Sequence, residues 1–123
     1  MAKKILIVEN DPAYRGALGR LVGRLGYEPV EAASGEEAID RALAAEPELI
    51  LINVELPHMS GIELTIRLKQ NPKALYIPVV VYYSDGLETR ETAMKAGASL
   101  VIEQPQSYGA LKRAFDIVLK PLP

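Results

Sequence analysis

Thirteen residues, Leu49 to Gly61 (L-I-L-I-N-V-E-L-P-H-M-S-G), restrict what this chain can fold into more than any other stretch. The run opens with four aliphatic side chains in succession and so has no polar face. A strand of that kind is stable only when both sides are covered, as at the centre of a parallel sheet with helices above and below. The apolar pattern breaks at an amide, Asn53, after which Pro57 and Gly61 supply loop chemistry before the next helix. In open parallel α/β sheets, ligands and chemistry lie beyond the carboxyl ends of the strands. Asn53 therefore stands where a reactive group is expected, and it is neutral.

The rest of the chain alternates around this strand. Short apolar runs predict further strands over 5–8, 27–32, 78–82 and 100–102. Asp11 followed by Pro12 reads as an N-cap with proline at the first helical position. The helix it opens carries Leu18, Leu21, Val22 and Leu25 inward, with Tyr14 one turn ahead, and Gly26 closes it. Ser34-Gly35-Glu36-Glu37 and Ser60-Gly61-Ile62-Glu63 read as capping boxes. The first opens a helix with Ala38, Ile39, Ala42 and Leu43 on one face. The second opens one with Ile62 and Ile66 inward, joined by Leu64 or Leu68, and Asn71-Pro72 ends it. A weaker helix spans 87–96 and is closed by Gly97. Ser107 caps the last helix, with Leu111, Ala114, Phe115, Val118 and Leu119 inward and Pro121 as its stop. Strict alternation implies right-handed crossovers and a doubly wound parallel sheet between two helical layers. Pro29 places the second strand at an edge. That favours the order 2-1-3-4-5, the flavodoxin-like arrangement with its switch point between strands one and three.

Length and charge bound the function. At 123 residues the chain is read as one domain, 1–123. Its 14 basic and 16 acidic side chains are dispersed, which points away from nucleic acid and anionic membranes as partners. The absence of cysteine excludes disulfides, thiolate catalysis and cysteine metal sites. The apolar run after Lys3-Lys4 is too short for a signal peptide, and no segment is long enough to span a membrane. A soluble, cytoplasmic domain is expected.

With that strand order, one rim gathers Glu9, Asn10 and Asp11, then Asn53 and Glu55, Tyr83 and Ser84, and Glu103 and Gln104. No glycine-rich phosphate loop follows the first strand, so a nucleotide cradle is not expected. The single histidine, His58, has no partner to orient it and reads as a solvated loop side chain.

K-K-I-L-I-V-E-N-D-P, L-I-L-I-N-V-E-L-P-H-M-S-G, I-P-V-V-V-Y and G-A-S-L-V-I-E-Q-P, in this order and spacing, resemble the response-regulator receiver domain of two-component signalling. The resemblance covers essentially the whole chain. It implies a phosphoryl group taken from a histidine kinase onto an aspartate ending the third strand. It further implies Mg²⁺ held by that aspartate and an acidic pair after the first strand. A hydroxyl after strand four and a lysine after strand five would contact the phosphoryl oxygens. Carried over, the acidic pair falls on Glu9 and Asn10, and the acceptor on Asn53. The hydroxyl position falls on Tyr83, with Ser84 after it, and the lysine position on Gln104, with Pro105 retained. Where such domains carry a strand-five aromatic, this chain has Val101.

Four of the five chemical positions thus depart from the pattern, and in a consistent direction. An amide cannot form an acyl phosphate. Mg²⁺ relies on carboxylates, and Glu9 is the one carboxylate left of three. Asp11 is the only other nearby candidate, and its N-cap duty turns its oxygen toward backbone N–H groups. No metal, no cofactor and no catalysis are expected. Asn10 and Asn53 are instead read as amides that tie loops together, and Tyr83 as cover over a vacant pocket or as an exposed side chain.

The leading expectation is a degenerate pseudo-receiver that acts, without phosphorylation, by binding protein. The resemblance assigns such contacts, and homodimers, to the surface of the fourth helix, fifth strand and fifth helix. Here that surface would present Arg90, Met94, Val101, Tyr108, Lys112 and Arg113. Two alternatives stay open. One is a small-molecule or metal-binding domain using Glu9, Asp11, Glu103 and Tyr83. The other is a phosphorylatable regulator with an unconventional acceptor such as Ser84.

Overall fold

The computed structural model describes residues 3–86 and 88–119. Five strands, β1 (Lys4–Val8), β2 (Glu28–Ala32), β3 (Leu49–Asn53), β4 (Val79–Tyr83) and β5 (Leu100–Glu103), alternate with five helices. These are α1 (Pro12–Arg24), α2 (Gly35–Ala45), α3 (Gly61–Gln70), α4 (Glu88–Ala96) and α5 (Tyr108–Val118). The sheet is parallel throughout, in the order β2-β1-β3-β4-β5. This is the doubly wound, flavodoxin-like architecture expected from the alternation. Strand ends fall within one residue of those read from the apolar pattern. Leu87 and Pro121 lie outside the described residues.

Side chains alternate across the sheet with the two-residue period of a strand, giving two separate cores. On one face Leu6, Val8, Ile50, Ile52, Val79, Val81 and Val101 pack under α2, α3 and α4. On the other, Ile5, Ile7, Leu49, Leu51, Val80 and Tyr82 pack under Leu18 and Val22 of α1 and Leu111, Ala114 and Phe115 of α5.

The helix caps follow the sequence, with differences of detail. Asp11, Ser34, Ser60 and Ser107 each accept a backbone N–H from the first turn. Neither capping box closes reciprocally. Glu37 reaches back one residue further, accepting from Ala33 N at 2.6 Å, and Glu63 pairs instead with Arg67. The inner face of α3 differs from the expected one at Ile66, while Ile62 packs against the core as expected. Gly61, Leu64, Thr65 and Leu68 face the core, while Ile66 is exposed. Thr65 is accommodated because its hydroxyl donates to Gly61 O at 2.8 Å, so no polar group is buried unpaired. On α2, Ala38 and Ala42 are buried, but Leu43 lies at the rim of the stripe and is exposed.

The turn from β3 into α3 is the tightest contact near the strand ends. A Cβ on Gly61 would sit 2.4 Å from Asn53 O and 2.9 Å from Val54 Cα, both backbone atoms that cannot swing aside. A Cβ on Gly35 would meet the Met59 side chain, closest at Sδ, 2.7 Å away, toward the flexible end of a thioether chain. Gly61→Ala is therefore expected to destabilise the domain by about 3 kcal/mol, and Gly35→Ala by about 1 kcal/mol or less, in urea unfolding. Equal losses would show that the β3–α3 turn can move.

Candidate functional site

The period-two pattern decides which side chains meet at the carboxyl ends of the strands. Glu9 has the parity of Ile5 and Ile7, Asn53 that of Leu49 and Leu51, and Tyr82 that of Val80. All three point to the α1/α5 side, and Asn53 and Tyr82 are direct partners in the β3–β4 register. Tyr83 has the opposite parity.

Glu9 is the centre of the cluster. It is 3% exposed, and its carboxylate accepts three hydrogen bonds. Asn53 Nδ2 donates to Oε1 at 2.9 Å, the Tyr82 hydroxyl donates to the same oxygen, and the Asp11 amide donates to Oε2 at 2.8 Å. Among the described residues, no ion pair reaches this carboxylate. A buried carboxylate left without partners is strongly destabilising, and here uncharged donors provide the compensation. Arg15 lies beside it but donates to the backbone Glu9 O at 2.8 Å and pairs with the Glu31 carboxylate at 2.9 Å. Burial pushes the Tyr82 hydroxyl far above the ordinary tyrosine range, helped by its hydrogen bond to Glu9 and by the Glu9 charge, so it remains a donor.

Asn53 is used at both ends. Its Oδ1 accepts the Glu55 amide at 2.9 Å while its Nδ2 holds Glu9, so this amide ties the β3 end both to β1 and to its own loop. Asn10 is exposed, and among the described residues no hydrogen bond involves its side chain. The loop-tying role expected for it belongs to Asn53 alone. Asp11 Oδ1 is committed to Ala13 N at 3.0 Å, as its N-cap position requires. Ser84 is exposed, with its hydroxyl donating to Glu55 Oε1 at 3.2 Å. His58 is exposed at a left-handed φ of 66° and takes no part in the cluster.

Two expectations about the rim are corrected. Tyr83 neither covers a pocket nor lies exposed; it is buried in the α2/α3/α4-side core, together with Val101. Val101 is 2% exposed and offers no side chain to a partner. Of the remaining face residues, Arg90, Met94, Lys112 and Arg113 are exposed, Lys112 within an ion pair to Asp116 at 2.7 Å. Tyr108 is half-buried beneath the Arg24 guanidinium, 4.4 Å from its ring centroid. Beside this face, β5 and α5 frame a groove of about 580 Å³ floored by Leu100, Ile102 and Ala114 and bordered by Arg113 and Ile117.

The Mg²⁺ implied by the resemblance can be tested against these donors. Mg²⁺ demands near-octahedral oxygen ligands at about 2.0–2.1 Å, carboxylates foremost. Both Glu9 oxygens already accept hydrogen bonds, Asn53 Oδ1 accepts an amide, and Asp11 Oδ1 caps a helix. The residues present do not fit the ion. Among the described residues no cluster of three or more histidine and acidic side chains is arranged to hold a metal.

A doubly wound sheet of this order, with an acidic residue after β1 facing the end of β3, defines a receiver-type domain. A family model described as the response regulator receiver domain matches residues 5–120, and the chain belongs to that family. It is 33% identical over 97 residues to the polar-differentiation response regulator DivK of Brucella ovis, covering 79% of each chain. A putative response regulator from Chloroflexus aurantiacus superposes with a TM-score of 0.91 at 26% identity, over 98% of this chain and 100% of that one. The receiver domain of the Pseudomonas aeruginosa sensor histidine kinase PA1611 was crystallised with magnesium in its active site cleft. It superposes with a TM-score of 0.86 at 23% identity, over 95% of this chain and 97% of that one, a likeness of fold.

Tyr82 was not among the site residues read from the sequence, because the hydroxyl was sought one position later, at Tyr83. Strand parity was the available signal. Tyr82→Phe is expected to reduce stability by about 2 kcal/mol at pH 7, since it withdraws a donor from a buried charge. The unfolded phenol ionises near pH 10, whereas the folded one holds its proton, so the stability Tyr82 supplies is complete below about pH 10 and lost above it. The gap between wild type and variant should therefore narrow at about 1.4 kcal/mol per pH unit above pH 10. A pH-independent gap in denaturant titrations would show that the hydroxyl does not serve Glu9.

Proposed function

We propose that this receiver domain works without phosphorylation, as a cytoplasmic signalling module that binds protein and catalyses nothing. The observation that carries the proposal is the closed hydrogen-bond set on Glu9. The carboxylate that would serve a metal is spoken for by Asn53 and Tyr82, and the residue at the acceptor position is itself one of the donors. Asn53 has no carboxylate oxygen to attack phosphorus. Gln104 carries no charge with which to neutralise a phosphoryl oxygen, and its backbone N–H is bonded to Tyr83 O at 2.9 Å. Burial of Tyr83 and Val101 in one core supports a face of fixed shape, since both side chains already occupy their packed positions.

The partner surface on this reading is the exposed part of α4, β5 and α5, where Met94 and Ile117 are large apolar side chains open to solvent. Homodimers through the same face are included in the proposal. No helix among the described residues is long and apolar enough to cross a membrane.

Incubation with a small acyl-phosphate donor and Mg²⁺ tests the central claim. Intact-mass analysis should show no added phosphoryl group; an acid-labile, hydroxylamine-sensitive adduct would overturn it. Restoration gives a second test. Asn10→Asp, Asn53→Asp and Gln104→Lys together should still bind Mg²⁺ poorly in calorimetry, because Tyr82 keeps its hold on Glu9. Adding Tyr82→Phe should release the carboxylate and bring binding into the millimolar range. Tight binding by the triple variant alone would show that Tyr82 does not close the site. Interface variants belong at Met94 and Ile117, because Val101→Arg would bury a charge and report folding instead.

A further inference from the structure

Two tyrosines outside the family's chemical set connect Glu9 to the far side of the α1/α5 layer. The Tyr82 hydroxyl donates to Glu9, and its ring meets the Tyr14 ring edge-to-face at 5.9 Å between centroids and 71° between planes. The Tyr14 hydroxyl donates in turn to Pro105 O at 2.6 Å, across from α1 to the β5–α5 turn. Burial holds the Tyr14 hydroxyl up at about 12, with the neighbouring Gln104 side chain acting against that rise. Gln104, at the position where the family pattern has lysine, thus lies beside a tyrosine. Pro105 is buried, has no N–H of its own, and lines the β5–α5 groove with Gln104 and Ser107. The turn is tied to the body of the sheet by the Gln104 N–H to Tyr83 O bond on one side and by Tyr14 on the other.

We infer that Tyr82 and Tyr14 form a strut through which the Glu9 carboxylate positions the β5–α5 turn and so fixes the mouth of the adjoining groove. Tyr14 is the positioning residue, and Tyr82 holds the Tyr14 ring by being held on Glu9. An edge-to-face aromatic pair is stabilised beyond the burial of its rings, and the hydrogen bond to Pro105 O adds to it, so together they hold the turn in place. The inference rests on the proposed function only in treating the groove as part of a docking surface; the strut itself is a property of the free chain.

Amide hydrogen exchange on the full chain tests it, in wild type, Tyr14→Phe, Tyr82→Phe and the double variant. The reporters are the Gln104 amide, bonded to Tyr83 O, and the Ala110 and Leu111 amides, bonded to Ser107 in the first turn of α5. Val22→Ala, a buried α1 residue two turns below Tyr14, controls for general loss of stability. Tyr14→Phe and Tyr82→Phe should each speed exchange of these amides about five- to tenfold, with the double variant no faster than the faster single one. Unchanged exchange in Tyr82→Phe would break the strut, because that residue makes no hydrogen bond to the turn. Equal acceleration by Val22→Ala would reduce the effect to global stability and also overturn the inference. Either result can be told apart from a failure of the proposed function, which the phosphodonor experiment reads separately.

Discussion

A single buried carboxylate governs the arrangement of this molecule's strand ends. Glu9 is a charge taken out of water at the carboxyl end of β1. The fold is stable only if that charge finds donors that are themselves fixed. Three elements supply them: the end of β3 through Asn53, the end of β4 through Tyr82, and the start of α1 through the Asp11 amide. Each donor has a second duty that limits its movement. Asn53 also binds the Glu55 amide, Tyr82 is packed in the α1/α5 core, and Asp11 caps α1. Cooperative polar networks of this kind rigidify their surroundings when every member is satisfied.

Seen this way, the departures from the receiver pattern form one electrostatic solution. With amides at residues 10 and 53, the rim carries fewer negative charges than a three-carboxylate site, and a metal is not needed to balance them. With glutamine at 104, a cation that would have lost its partners is absent as well. The replacements are neutral hydrogen-bonding groups, and Asn53 is bonded to Glu9 itself. Asn10 has no comparable duty.

How far the residues could be read in advance follows from what each reading depended on. The sheet order was legible because Pro29 and the uniformly apolar Leu49–Ile52 run are local signals with one topological meaning. Helix starts were legible because cap residues act within their own turn. The inner face of α3 was legible only in part: Ile62 packs against the core as read, but glycine and threonine at 61 and 65 carry little hydropathy yet mark the stripe, while Ile66 mimics it one turn on. The face residues failed at Val101 for a related reason: on a short edge strand, hydropathy does not reveal which side is covered. At the site, Glu9 and Asn53 were legible from their place at strand ends. Tyr82 lay inside a run that reads as core, and its hydroxyl acquires meaning only when strand parity and register place it opposite Asn53.

The two edges of the sheet are not equivalent. At β2, residues 28, 29 and 31 are exposed, with glutamate at two of them and proline, which lacks an amide hydrogen, at the third. Charge and proline on an outer strand discourage pairing with a neighbouring chain. At the opposite edge, β5 is hydrogen-bonded only to β4, is just four residues long, and carries its one charge, the exposed Glu103, at its end. Pairing with another chain is thus opposed at both edges, by charge and proline along β2 and by brevity and a terminal charge at β5. The two flanks reach the same protection by different means.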